Sequence, residues 1–100
     1  MSFQSFIETA WTDHGDHPEA VADRLAQSLH VIAAPGDIPP YARLVTHVYG
    51  EHLARWQSGV ELLASLRRLP VWDATPPLEA AVARNVAVLQ LLRRHGDGAA

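Results

Sequence analysis

Apolar side chains recur at intervals of three and four residues in five stretches, separated by connectors that carry glycine or proline. This spacing predicts amphipathic helices. The first stretch, about residues 2–14, sets Phe3, Phe6, Ile7, Ala10 and Trp11 on one face. Gly15 follows, where a left-handed residue ends a helix at little cost. The second stretch opens on Asp16-His17-Pro18-Glu19. There Asp16 is placed to cap free amides, Pro18 suits a first turn and Glu19 completes a capping box. Its stripe reads Ala20, Val21, Leu25, Ser28, Leu29 and Ile32, and Pro35-Gly36 stops it.

The connector Ala34 to Pro40 leads to a third helix that Pro40 can start, with Tyr41, Leu44, Val45, Val48 and Tyr49 inward. A fourth segment, about 57–69, turns Val60, Leu63, Leu66 and Leu69 inward before Pro70. No proline interrupts residues 41–69, so one long helix is the alternative to two; Gly50 and Gly59 weaken helix there by only about 1 kcal/mol each. After Val71 to Pro77, with Thr75 a natural cap, the last helix (about 77–95) carries Leu78, Val82, Val86, Leu89 and Leu92. Ala81, Val88 and Leu91 make it apolar on more than one side, which demands cover. Nothing alternates with period two over a strand's length. The expected fold class is all-α, a single domain over 1–100 with about five helices. They form antiparallel helix-turn-helix pairs (about 2–33 and 40–69) and a final helix; a generic bundle with a long central helix is the alternative.

Composition narrows the role. One hundred residues with 48% hydrophobic content suffice for one core. A formal net charge of -3 gives no footprint for nucleic acid or an anionic membrane. Cysteine is absent, which excludes disulfides and thiolate metal sites. The N-terminus lacks the basic start and apolar core of a secretory signal, and no run is long enough to span a bilayer. A cytoplasmic location is the expectation.

His-Gly-Asp occurs twice, at residues 14–16 and 95–97, each time after a helical stretch, and Ala54-Arg55-Trp56 ends a third. Trp11, Gly15, Asp16, Glu19 and Ala20 fall at the offsets of a helix-turn-helix repeat, and residues 1–34 resemble a divergent tetratricopeptide repeat. Residues 42–69 are similar through Tyr49, Ala54-Arg55-Trp56, Gly59 and Leu63, and residues 82–97 resemble the first helix of a third unit. Glu8, Thr46, Leu89 and Gln27 depart from the small residues usual there, and the period is nearer 40 than 34. The resemblance implies a groove lined by the first helix of each pair. Ser5, Thr9, Thr12 and Asp13 would line it from the first, Arg43, His47 and Glu51 from the second, and Gln90, Arg93 and Arg94 from the last. Such a polar groove suits a protein or peptide partner, with arginine gripping carboxylates. Trp72, beside Val71 in a connector, is either a further partner anchor or a lid over the core. The final helix points to self-association or to continuation in a longer chain.

Built-in chemistry is scarcer. Asp13-His14-Gly15-Asp16-His17 gathers two carboxylates and two imidazoles, the basis of an alternative reading as a small metal-binding protein or metal-dependent enzyme. The turn spreads those side chains, however, and His30, His47, His52 and His95 show no paired spacing. His47 and His52, five apart, do not share a face of a regular helix. No metal site, cofactor or catalytic residue is therefore expected. Glu51, four after His47 and four before Arg55, reads as helix-surface pairing. There is no nucleophile elbow or phosphate-binding loop. The expected role is a non-enzymatic interaction module, with a structural dimerisation domain as a second alternative.

Overall fold

The computed structural model describes residues 2–99. It is all-α, with five helices: α1 (Phe3–Asp13), α2 (Pro18–Gln27), α3 (Ile38–Val45), α4 (Trp56–Ser65) and α5 (Pro76–Ala99). Short 3-10 turns at Leu29–Val31, Pro35–Asp37 and Leu66–Arg68 join them. One element has no counterpart in the sequence reading. Thr46–His52, continuous with α3, winds as a π-helix.

Each helix end has a local cause. The Ser2 hydroxyl caps α1 by accepting from the Ser5 amide at 3.1 Å. α2 starts one residue later than its capping box implied, because the N-cap is His17, with no side-chain bond, and Asp16 stays in the turn. It also ends earlier, at Gln27. The Tyr41 and Tyr49 hydroxyls reach across from the next helix and donate to the carbonyls of Leu25 (2.6 Å) and Ala22 (2.7 Å). Leu25 O also accepts from the Ser28 amide at 3.4 Å, so the phenols add second donors and tie α2 to the chain that follows. The α2 stripe shrinks accordingly: Val21, Ala22 and Leu25 are buried, Ser28 and Leu29 half-buried, and Ala20 exposed. α3 begins at Ile38, two residues before Pro40. Prolines fit a first turn, whose amides lack helical partners in any case.

The long-helix alternative over 41–69 fails at Leu53–Arg55. Ala54 is left-handed (φ 54°), and no described glycine has positive φ, Gly15 included. The left-handed helix stop expected at Gly15 occurs at Ala54 instead. The Leu53 amide donates to Val48 O (3.1 Å) and the Arg55 amide to Tyr49 O (2.7 Å). This closure resembles a left-handed helix cap, widened to match the π-helix it ends. α4 then gives way to a 3-10 turn after Ser65, short of Pro70.

α5 lies across α3, the π-helix and α4. Leu78, Val82 and Leu89 of α5 join Tyr41, Leu44, Val45, Val48, Leu63 and Leu66 in the core. Gly50 and Gly59 permit that approach. A Cβ on Gly50 would stand 2.8 Å from a Leu92 methyl, and one on Gly59 would stand 2.9 Å from a Leu89 methyl. Much of the cover that α5 requires thus comes from within the chain, leaving Val88 and Leu91 as the exposed large apolar residues. α5 runs past the expected end near residue 95 as far as Ala99, and Ala100 lies outside the described residues. α1 packs on α2 and α3 at the other side. The molecule measures 40 × 31 × 17 Å, two helices thick in its shortest direction.

Candidate metal centre

α1 ends on His14, and the π-helix carries His47 near its start and His52 at its end. In a regular α-helix, residues five apart point about 140° away from each other. Hydrogen bonds closing to the fifth residue widen the turn and return i and i+5 to one side. His47 and His52 therefore share a face, contrary to the expectation from their spacing, and that face meets the end of α1. The three ring centroids form a near-equilateral triangle: 4.9 Å from His14 to His47, 4.8 Å from His47 to His52 and 5.0 Å from His14 to His52.

His47 Nε2 lies 3.2 Å from His14 Nε2 and 3.2 Å from His52 Nε2. One nitrogen from each ring lies within 4.8 Å of the other two. A tetrahedral ion with Zn–N bonds of about 2.0–2.1 Å would hold its ligand nitrogens about 3.3–3.4 Å apart, close to the two Nε2 separations.

The outer nitrogens fix what the inner ones can do. His14 Nδ1 faces the Trp11 carbonyl, which can only accept, so Nδ1 carries the hydrogen. His47 Nδ1 faces the Glu51 carboxylate and donates to it. In the neutral rings both Nε2 atoms then present lone pairs toward each other. Two lone pairs at hydrogen-bonding distance need a cation between them, either a proton or a metal. A carboxylate and a backbone carbonyl holding ligand imidazoles by their far nitrogens are the usual outer partners of histidine–metal sites. Helix C-termini carry partial negative charge, and both α1 and the π-helix end at this cluster, which further favours a cation.

Packing orients the rings. Trp11 stands edge-on to His14 (5.1 Å between centroids) and lies tilted against His47 (5.3 Å), with the Arg43 guanidinium 5.9 Å over its ring. His14 and His47 are half-buried and His52 is exposed, so the cluster opens to solvent on the His52 side. Beside it, Trp11, Arg43, Thr46, His47, Glu51 and Asn85 line a cleft of about 310 Å³. Thr46, the buried polar residue of the core, ties the cleft floor to α5, with its hydroxyl 2.8 Å from Asn85 Oδ1 and 3.0 Å from Ala42 O.

The residues read from the sequence as a single groove are divided in space. Arg43, His47 and Glu51 share the cleft just described. Thr9 and Asp13 line another, of about 360 Å³, with Phe6, Arg24, His30 and Val31, and Asp13 is ion-paired to Arg24 at 3.2 Å. Gln90 and Arg94 are exposed on α5. Trp72 is half-buried against the core with Arg67 5.8 Å over its ring, which is the lid arrangement of its two expected roles. Of the Asp13–His17 cluster only His14 reaches the other histidines; Asp16 and His17 are exposed and line a different hollow. Arg55 leans toward Glu19 (3.8 Å) and Glu51 bonds His47, so of the two surface pairings read for Glu51 only that with His47 forms.

The π-helix is what spacing alone could not reveal. The sequence signals nearest to it are Gly50, a weak helix former inside a helical pattern, and the His47–Glu51 pair. Comparison with protein-family models, with curated proteins and with solved structures finds no match for this chain.

Proposed function

We propose that this is a small metal-binding protein that holds one divalent transition-metal ion on His14, His47 and His52. The observation that carries this reading is the convergence of three imidazoles whose Nδ1 positions, in two of the three, are already committed to a carbonyl and a carboxylate. Three neutral nitrogen ligands suit zinc and its neighbours among divalent ions more than magnesium or calcium, which take oxygen ligands. With three protein ligands and a solvent-facing side, the ion keeps a coordination position for water or a small ligand.

Isothermal titration of tag-free protein with zinc tests the reading. One equivalent should bind, and His47→Ala should abolish that binding while helical circular dichroism persists. His95→Ala, on exposed α5, should change nothing. Absence of stoichiometric binding by the native chain would sink the reading.

A protein-interaction role on tetratricopeptide-like helical pairs is the alternative. Its support is weaker because the residues it needs are split between two clefts and the exposed face of α5.

A further inference from the structure

We infer that the ligand completing this centre is a small organic or inorganic anion, a carboxylate or phosphate, bound between the metal and the Arg43 guanidinium. The inference rests on the metal reading above and adds the chemistry of the group that the open position receives.

Charge is the first ground. Three neutral imidazoles leave a divalent ion with its full double charge. Glu51, hydrogen-bonded to His47, offsets one unit, and Arg43 in the same cleft adds one back. The cleft beside a loaded centre is therefore cationic on a chain whose formal net charge is -3. An enclosed patch of one sign concentrates ions of the other.

Placement is the second ground. Arg43 is exposed and forms no ion pair among the described residues; its recorded contact is with the Trp11 ring. Trp11 in turn packs against His14 and His47. The indole thus serves as a shelf that sets the guanidinium in the cleft that His47 lines. Stacking on an aromatic face leaves the N–H edge of a guanidinium free, and that edge matches two oxygens of a carboxylate or phosphate.

Shape is the third ground. The metal-side cleft adjoins a second hollow of about 450 Å³ through the shared walls of Arg43 and Asn85. Arg84 lines that hollow with Pro39 and Pro40, and it too forms no ion pair among the described residues. The surface leading away from the metal therefore carries a second cation, which suits an anion with a body extending past Arg43 over a proline-lined wall.

Cobalt(II) provides the test, because its visible d–d absorption reports both occupancy and coordination number. The native chain is loaded with one equivalent of cobalt and titrated separately with inorganic phosphate and with acetate. We expect a saturable spectral change with at least one of them, and comparing the two arms tells phosphate from carboxylate chemistry. In Arg43→Ala, loaded equally with cobalt, anion binding should weaken about tenfold or more, as loss of a charge-assisted contact implies. Cobalt binding without any anion-dependent change overturns the inference and leaves the metal reading standing. Equal anion affinity in Arg43→Ala overturns it likewise. Failure of the native chain to bind cobalt removes the metal reading and the inference with it.

Discussion

His47 has both ring nitrogens committed, Nδ1 to Glu51 and Nε2 to the gap it shares with His14 and His52. Glu51 accordingly acts on a bound metal without touching it, by fixing the tautomer and orientation of the His47 ring. Glu51→Gln should weaken zinc binding by about 10- to 100-fold without unfolding the chain, as read by competition with a chromophoric chelator. Glycine substitutions separate by what surrounds them. A Cβ at Gly59 meets Tyr49 Cβ at 3.1 Å as well as a Leu89 methyl, whereas one at Gly50 meets only leucine methyls that can move aside. Gly59→Ala should therefore destabilise by about 1 kcal/mol net, overpacking outweighing the better helix propensity, and denaturant unfolding would measure it.

The π-helix is the element that decides the site. It adds the winding that returns His52 to the side of His47, and it needs an ending that a regular helix does not. Ala54 supplies that ending in a left-handed conformation which costs an alanine about 1–2 kcal/mol. Ala54→Gly removes this strain at some cost in chain entropy, so a gain of about 0.5 kcal/mol is expected in chemical denaturation, with zinc binding retained. α2 shows the same dependence of an element on its neighbours. Two of its carbonyls, Leu25 and Ala22, accept from Tyr41 and Tyr49, whose phenols burial pushes above the ordinary tyrosine value, each with smaller charge effects. A raised phenol favours the folded state fully at pH below the unfolded tyrosine value of about 10. That contribution is lost as pH rises through the folded values. Circular dichroism in alkaline solution should thus show α2 and the core yielding above about pH 10, together with delayed tyrosinate absorbance at 295 nm.

At the scale of the whole molecule, the metal would join the end of α1 to the π-helix across 33 residues of chain. Zinc at a hundredfold excess over its dissociation constant should then add about 2.7 kcal/mol to the unfolding free energy, seen as a rise in the thermal midpoint that His14→Ala abolishes. Cover from α3, the π-helix and α4 also changes what α5 asks of other molecules. Most of its apolar stripe is buried within the chain, and among the described residues Val88 and Leu91 are its large apolar side chains left exposed.

Periodicity by itself determined that the chain is helical and most of the residues that face inward, while leaving open whether residues 41–69 form one helix or two. Burial of apolar faces is a short-range pattern with a fixed period, and Tyr41, Leu44, Val45, Val48 and Tyr49 obey it throughout. The convergence of His14, His47 and His52 was not legible in the sequence. His14 stands 33 residues before His47, and the His47–His52 interval excludes a shared face unless the helix is wound by the π register. The π register and the left-handed turn at Ala54 lie where α4 and α5 pack against the π-helix, and α1 is seated on α3 across the chain. Packing selects among windings that differ by a few kcal/mol locally, and such differences leave no periodic trace in the order of residues.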